Sequence, residues 1–171
     1  GEPPVYIGFG SLGQMERSDQ TLTLVQETLR LTGLRAVLAG IPGSPASEKV
    51  ADNLYLLQSA PHDWLFPRVA AAVHHGGAGT TAASLRAGLP TVITPFANDQ
   101  FAWGRRVFEL GAGPRPVPRK RLTPASLSAA IHAALDPATR QAAQQLGDCI
   151  RTEDGARSAA RTIINSLDST A

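Results

Sequence analysis

The chain has 171 residues, 43% of them hydrophobic and 18% charged, the balance of one soluble globular domain with its own core. A net charge of +2 and 5% aromatic content give no basis for nucleic-acid binding, and no apolar run approaches the ~20 residues that cross a bilayer. The single cysteine, Cys149, excludes an internal disulfide and suits a reducing cytoplasm, while Gly1-Glu2-Pro3-Pro4 is too polar and stiff to open a secretory signal.

In chain order, Val5 to Phe9 reads as a first strand, stopped at Gly10-Ser11-Leu12-Gly13. Helical rhythm follows from Ser18 to Thr32, with Leu22, Val25 and Leu29 on one face, Ser18 as N-cap and Gly33 as the stop. Arg35 to Ala39 is a second strand, and Ile41 to Asp52, rich in Gly, Pro and Ser, is a loop. Leu54 to Leu57 is a third strand, and a short helix lies within Pro61 to Val69. Ala71 to His74 is a fourth strand and Ala78 to Ala87 its helix, ended by Gly88 with Pro90 beyond. Thr91 to Thr94 is a fifth strand, a helix covers Gln100 to Leu110, and Gly111 to Pro118 is extended, the expected sixth strand. Helices near 124–135, 138–151 and 155–167 close the chain.

Strands alternating with helices, and strands apolar throughout, predict an α/β fold: a Rossmann-like, doubly wound parallel sheet of about six strands with helices on both faces. Ligands of such sheets bind beyond the carboxyl ends of the strands. Gly10-Ser11, Ala60-Pro61-His62, His75 to Thr80 and Phe96 to Gln100 all follow strand ends, so one rim can gather them.

The richest segment is His74-His75-Gly76-Gly77-Ala78-Gly79-Thr80-Thr81. Three glycines let the backbone turn closely around a ligand, and the helix after them starts with unpaired N–H groups and a partial positive charge that suit a diphosphate. A tight connection with no ligand is the plainer reading of such a turn; His75 and the hydroxyls of Thr80 and Thr81 favour the phosphate. The spacing is not that of a Walker loop, and Gly8-x-Gly10-x-x-Gly13 is a weak dinucleotide match because no acid ends the next strand. His74 and His75 make a poor metal pair, since neighbours on a strand point apart, and His74 reads as a structural polar group. Asp99 and Gln100 fit a carboxylate and an amide gripping sugar hydroxyls; a helix N-cap and its neighbour is the plainer alternative. Ser11 is either a phosphate contact or a turn residue. Trp64 and Trp103 read as packing at the domain edge, and Arg115, Arg119, Lys120 and Arg121 as a solvated basic cluster, with peripheral contact to an acidic lipid surface or a partner domain as the minority reading. No Asp-x-Asp motif occurs, so no metal cofactor is expected.

Phe9-Gly10-Ser11, Pro61-His62-Asp63-Trp64-Leu65-Phe66-Pro67, the His74 to Thr81 segment, Pro95-Phe96 and Asp99-Gln100 together resemble the UDP-glycosyltransferase superfamily. The resemblance spans nearly the whole chain and is to the sterol glucosyltransferases and the bacterial antibiotic and macrolide glycosyltransferases; Pro118-Arg119-Lys120-Arg121-Leu122-Thr123 leans to the sterol type. It implies the C-terminal, donor-binding half of a two-domain GT-B enzyme, whose N-terminal half holds the acceptor and the histidine base. A chain opening at Glu2-Pro3-Pro4 is then expected to be cut at the interdomain linker, and the helix near 155–167 to expose an apolar face meant for the other half. By resemblance, Ser11 touches the diphosphate or nearby sugar, Ala60 and His62 hold uracil, His75, Gly77, Ala78, Gly79 and Thr80 bind the diphosphate, and Asp99 and Gln100 bind glucose hydroxyls. No catalytic residue is expected in this half. Ser59 and Ala83 replace a tryptophan and a glutamate with which plant members hold uracil and ribose, which leaves the ribose contacts open. The implied activity is inverting transfer of a hexose from UDP-glucose to a lipophilic hydroxyl, without metal. The alternatives are half of a GlcNAc transferase or sugar-nucleotide 2-epimerase, and a non-catalytic nucleotide-binding module.

Overall fold

The computed structural model describes residues 1–10, 18–40 and 47–168. Six strands, β1 (Val5–Gly8), β2 (Ala36–Ala39), β3 (Glu48–Ala51), β4 (Leu54–Leu57), β5 (Ala71–His74) and β6 (Thr91–Ile93), form one sheet in the order β3-β4-β2-β1-β5-β6. All neighbours run parallel except β3, which pairs antiparallel with β4.

Alternation along each strand splits the core into two faces. Val5 and Ile7 of β1 and Val73 of β5 point to one side, where Val25 and Leu29 of α1 (Ser18–Thr32) and Leu127, Ile131 and Ala134 of α5 (Pro124–Leu135) cover them. Tyr6 and Ala72 point to the other, against Leu65 of α2 (His62–Leu65), Phe66 in the 3-10 turn Phe66–Arg68, Val69 and Leu89. On the same side, Leu85 of α3 (Ala78–Arg86), Val107 of α4 (Gln100–Glu109) and Ala143 of α6 (Pro137–Thr152) close over Ile93 and Ala112. Each fully buried side chain of this size contributes about 1.5–3 kcal/mol, so the sheet is held from both faces.

The helix stops behave as the glycines require. Gly33 and Gly88 both take positive φ, 68° and 73°, and send their N–H groups back to Leu29 and Leu85 carbonyls. α7 (Gly155–Asp168) presents Ile163, Ile164 and Leu167 at 61, 57 and 67% exposure, the open apolar face expected of the last helix.

One element departs from expectation. The sixth strand is Glu48–Ala51, inside the stretch expected to be loop, and Gly111 to Pro118 is not a strand. Glu48-Lys49-Val50-Ala51 is an edge strand with two exposed charges at its start and only Val50 and Ala51 half-buried against the core, too little for the apolar pattern of a buried strand. Residues 112–119 instead run loosely past β6: Thr91 donates to the Ala112 carbonyl, Val117 to Ile93 and Arg119 to Pro95. Pro114, Pro116 and Pro118 lack the N–H groups a full ladder needs.

Gly113 shows how close that pass is. A Cβ there would lie 1.9 Å from the Thr91 carbonyl oxygen, a backbone atom that cannot give way. Gly113→Ala is expected to cost at least about 3 kcal/mol in denaturant unfolding; a loss under 1 kcal/mol would mean the segment is free to lift away.

Candidate functional site

The carboxyl ends of β1, β4, β5 and β6 lie along one rim, and the loops from them form the site. At its centre is the turn from β5 into α3. His74 is fully buried, its Nδ1 accepting from the Gly76 N–H at 3.1 Å and its Nε2 lying 3.4 Å from Ser84 Oγ on α3. Ser84 Oγ donates to the Thr81 carbonyl and receives the Thr91 hydroxyl at 3.0 Å, and Thr94 donates its N–H to the His74 carbonyl. The His74 ring thus fastens the turn and the helix, and the residue's carbonyl and Ser84 carry the link on to β6. It is the structural histidine the sequence suggested.

Gly76 has φ 92°, and a Cβ there would meet Ile93 Cγ2 at 2.7 Å. Only glycine fits this bend. His75 follows, half-buried, its ring lodged between two glycines: a Cβ on Gly10 or on Gly77 would approach the ring to 2.5 Å. Its Nδ1 is buried and finds no partner among the described residues. Burial lowers the His75 pKa, and the Asp99 carboxylate pulls it partly back up.

α3 begins at Gly77 with no side-chain cap. The N–H groups of Ala78, Gly79 and Thr80 are the free donors of its first turn, and Thr81 closes the first helical bond onto the Gly77 carbonyl. Nothing lies within 4 Å of where a Gly79 Cβ would be. Open donors, the helix dipole and an imidazole therefore converge on one surface that can hold an anion.

Beside this turn, a cavity of about 200 Å³ opens at the ends of β1, β2 and β4, lined by Tyr6, Gly10, Gly40, Ser59, Ala60 and His62 among others. His62 stacks on Phe66 at 4.4 Å and meets the edge of Tyr6 at 5.8 Å, and burial lowers its pKa. A larger hollow of about 470 Å³ lies on the far side of His62, between Ala83, Arg86, Gln144 and Arg151.

On the other flank, Asn98 takes φ 55° and α4 begins. Asp99 occupies the N-cap position without capping; its exposed carboxylate accepts instead from Trp103 Nε1 at 3.1 Å. Gln100 is 4% exposed, and its Oε1 receives the Phe96 and Ala97 N–H groups at 2.8 and 3.3 Å. That oxygen holds the loop in shape.

Residues 37–166 match the family model described as "Erythromycin biosynthesis protein CIII-like, C-terminal domain". The chain belongs to this family. Among relatives of this CIII-like domain, a sterol 3-beta-glucosyltransferase of Arabidopsis thaliana, UGT80B1, is 45% identical over 162 residues, 93% of this chain and 26% of that protein. The sterol 3-beta-glucosyltransferase of Emericella nidulans is 44% identical over 177 residues, 98% of this chain and 12% of that protein. The chain therefore spans a minor part of the curated relatives it matches. The structure of the kitacinnamycin glycotransferase superposes with TM-score 0.79 at 28% identity, covering 96% of this chain and 43% of that one. The calicheamicin glycosyltransferase CalG4 gives TM-score 0.79 at 25% identity, covering 99% and 44%. The fold of this CIII-like domain is the C-terminal half of the GT-B glycosyltransferases.

Ala60, His62, His75, Gly77, Ala78, Gly79, Thr80, Asp99 and Gln100 all sit on loops or first helical turns at the one rim; Ser11 and Gly13 lie outside the described residues. Trp64 and Trp103 lie at the domain edge, 55% and 37% exposed, with Arg68 stacked on Trp64 at 4.6 Å and Trp103 donating to Asp99. Arg119 is half-buried over Phe9 rather than solvated. The Arg119 placement depends on neighbours about a hundred residues away, which spacing does not reveal. Among the described residues, no three His, Cys, Asp or Glu side chains gather as metal ligands, and no helix is long and apolar enough to cross a membrane.

The His74 ring makes a pH signature. Burial, with repulsion from His75 and His62, lowers its pKa to about 3. An unfolded histidine titrates near 6.5, so the stability tied to the neutral ring is complete above about pH 6.5 and is lost as pH falls toward 3, by roughly 1.4 kcal/mol per unit. His74→Asn, which keeps an acceptor for Gly76, is expected to be less stable at pH 7 with a shallower loss between pH 6.5 and 4. An unchanged slope in urea unfolding would remove His74 as the cause.

Proposed function

We propose that this chain is the donor-binding half of a glycosyltransferase that moves a hexose from UDP-glucose to a hydroxyl of a lipophilic acceptor, a sterol or similar natural product. The observation that carries this is the open first turn of α3, where the uncapped N–H groups of Ala78, Gly79 and Thr80 lie beside the His75 ring, whose Nε2 edge packs against Gly77. The cavity beside Ala60 and His62 is of a size for a pyrimidine base, and Asp99 with the Gln100 amide stands on the opposite flank for sugar hydroxyls. Ser11, one residue past Gly10, joins the diphosphate contacts in this reading. The sterol glucosyltransferase relatives support the glucose donor and the lipophilic acceptor.

In the proposed inverting reaction, the acceptor oxygen attacks the anomeric carbon from the face opposite UDP. The new C–O bond forms as the bond to the diphosphate oxygen breaks, and a base on an N-terminal domain takes the acceptor proton. The present half orients the sugar and stabilises the departing charge with helix N–H groups, His75 and hydroxyls instead of a metal. The exposed face of α7 docks on that other domain, and the protein works in the cytoplasm. Alone, the half binds donor weakly and turns nothing over.

Calorimetric titration with UDP, UDP-glucose, TDP and NAD, with and without chelator, tests the reading. UDP and UDP-glucose are expected to bind whether or not chelator is present; saturable NAD binding, or no uridine binding at millimolar ligand, would end it. Because burial lowers the His75 pKa in the free chain, an anion at the ring takes up a proton on binding, and UDP-glucose affinity is expected to rise as pH falls from 7.5 to 5.5. Asp99→Ala is expected to weaken UDP-glucose by roughly tenfold while leaving UDP nearly unchanged. Gly79→Ala adds helix propensity worth up to ~1 kcal/mol but puts a methyl on the anion's approach, so thermal stability should rise as UDP affinity falls.

A further inference from the structure

Four cations crowd residues 115–121, yet one differs from the rest. Arg115 lies on the outer Phe108 ring, and Lys120 and Arg121 point to solvent. The Arg119 guanidinium instead covers Phe9 at 4.4 Å, lies 5.9 Å from the Phe96 ring, and donates from Nη2 to Thr21 Oγ1 on α1 at 3.1 Å. Its own N–H is fixed on the Pro95 carbonyl, and the 3-10 turn 119–121 closes behind it through Leu122 N–H to the Arg119 carbonyl.

The sheet order gives these contacts their meaning. Phe9 follows β1 and Phe96 follows β6, and between those strands lies β5, which feeds the glycine turn. Phe9 precedes Gly10, the glycine against which the His75 ring rests. The Phe96 N–H is held by Gln100 Oε1, next to Asp99. A single planar cation therefore ties together the two loops that flank the anion surface. Lysine cannot replace it, because an ammonium has no flat face to stack while donating in its plane.

We propose that Arg119 is a positioning residue, a strut that sets the spacing between the loop at the end of β1 and the Phe96–Gln100 loop and so determines how strongly the sugar of the donor is held relative to its diphosphate. The proposal deepens the donor-site reading and rests on it. Arg119 touches no reacting atom; it acts through Gln100 and Asp99 on one side and Gly10 on the other.

The test compares the chain with Arg119→Lys and Arg119→Met, and with Thr21→Val as a milder variant that removes only one hydrogen bond. Two readouts are taken: calorimetric affinity for UDP and for UDP-glucose, and amide hydrogen exchange at Phe96 and Ala97 without ligand. Expected in both Arg119 variants are faster exchange at these amides and UDP-glucose weakened by roughly tenfold with UDP within about twofold of the parent. Thr21→Val should fall between. Equal weakening of UDP and UDP-glucose, or unchanged exchange at Phe96 and Ala97, would overturn the strut. If the parent binds no uridine ligand, the donor reading falls and the specificity claim with it, while the exchange data still decide whether Arg119 fixes the loop.

Discussion

The hydrogen bond from the Gly76 amide to the buried His74 ring is the constraint on which the site depends. Left unpaired, that amide would be costly inside the protein, by about 1–3 kcal/mol. Satisfying it with a ring that also reaches α3 fixes where β5 stops and how α3 starts. The bend at Gly76, the outward turn of His75 and the open first turn of α3 all follow from that one anchor. His74 must stay neutral to accept the bond, and burial ensures it. Two adjacent histidines thus differ in setting: one is buried and structural, the other half-buried beside the first turn of α3.

The flanks of the site have a different construction. Around His74 the polar groups are buried and mutually bonded. Around Asp99 and Gln100 they are arranged by a loop held by the Gln100 side-chain amide, with the Arg119 guanidinium 5.9 Å from its Phe96 ring. Backbone hydrogen bonding of regular elements contributes little there. In the proposed donor site, the end at α3 is accordingly the more densely bonded and the end at Asp99 the less. That division suits a family whose members share a fold while their names point to different sugars and acceptors.

Much of this was legible in the chain because the parallel strands are continuous apolar runs and the glycine stops sit at helix ends. The rim was legible for the same reason: strand ends in an α/β sheet define it without knowledge of packing. What escaped the sequence were features set by neighbours far along the chain. Glu48 to Ala51 looks like loop because an edge strand can afford charge on both faces. Arg119 looks like one more surface cation because Phe9 and Thr21 lie about a hundred residues away. Gln100 looks like a free ligand group, and only the structure shows half of its amide turned back on its own loop.

The sheet borders bear on assembly. β3 is four residues long, with Glu48 and Lys49 exposed, which discourages another strand from adding to it. At the opposite border, the proline-rich pass of residues 112–119 already occupies part of the β6 edge. Neither border offers a clean ladder to a second chain. Any larger architecture built from this domain must therefore form through helix faces and the loop rim, leaving the sheet itself a closed unit that resists strand-to-strand aggregation.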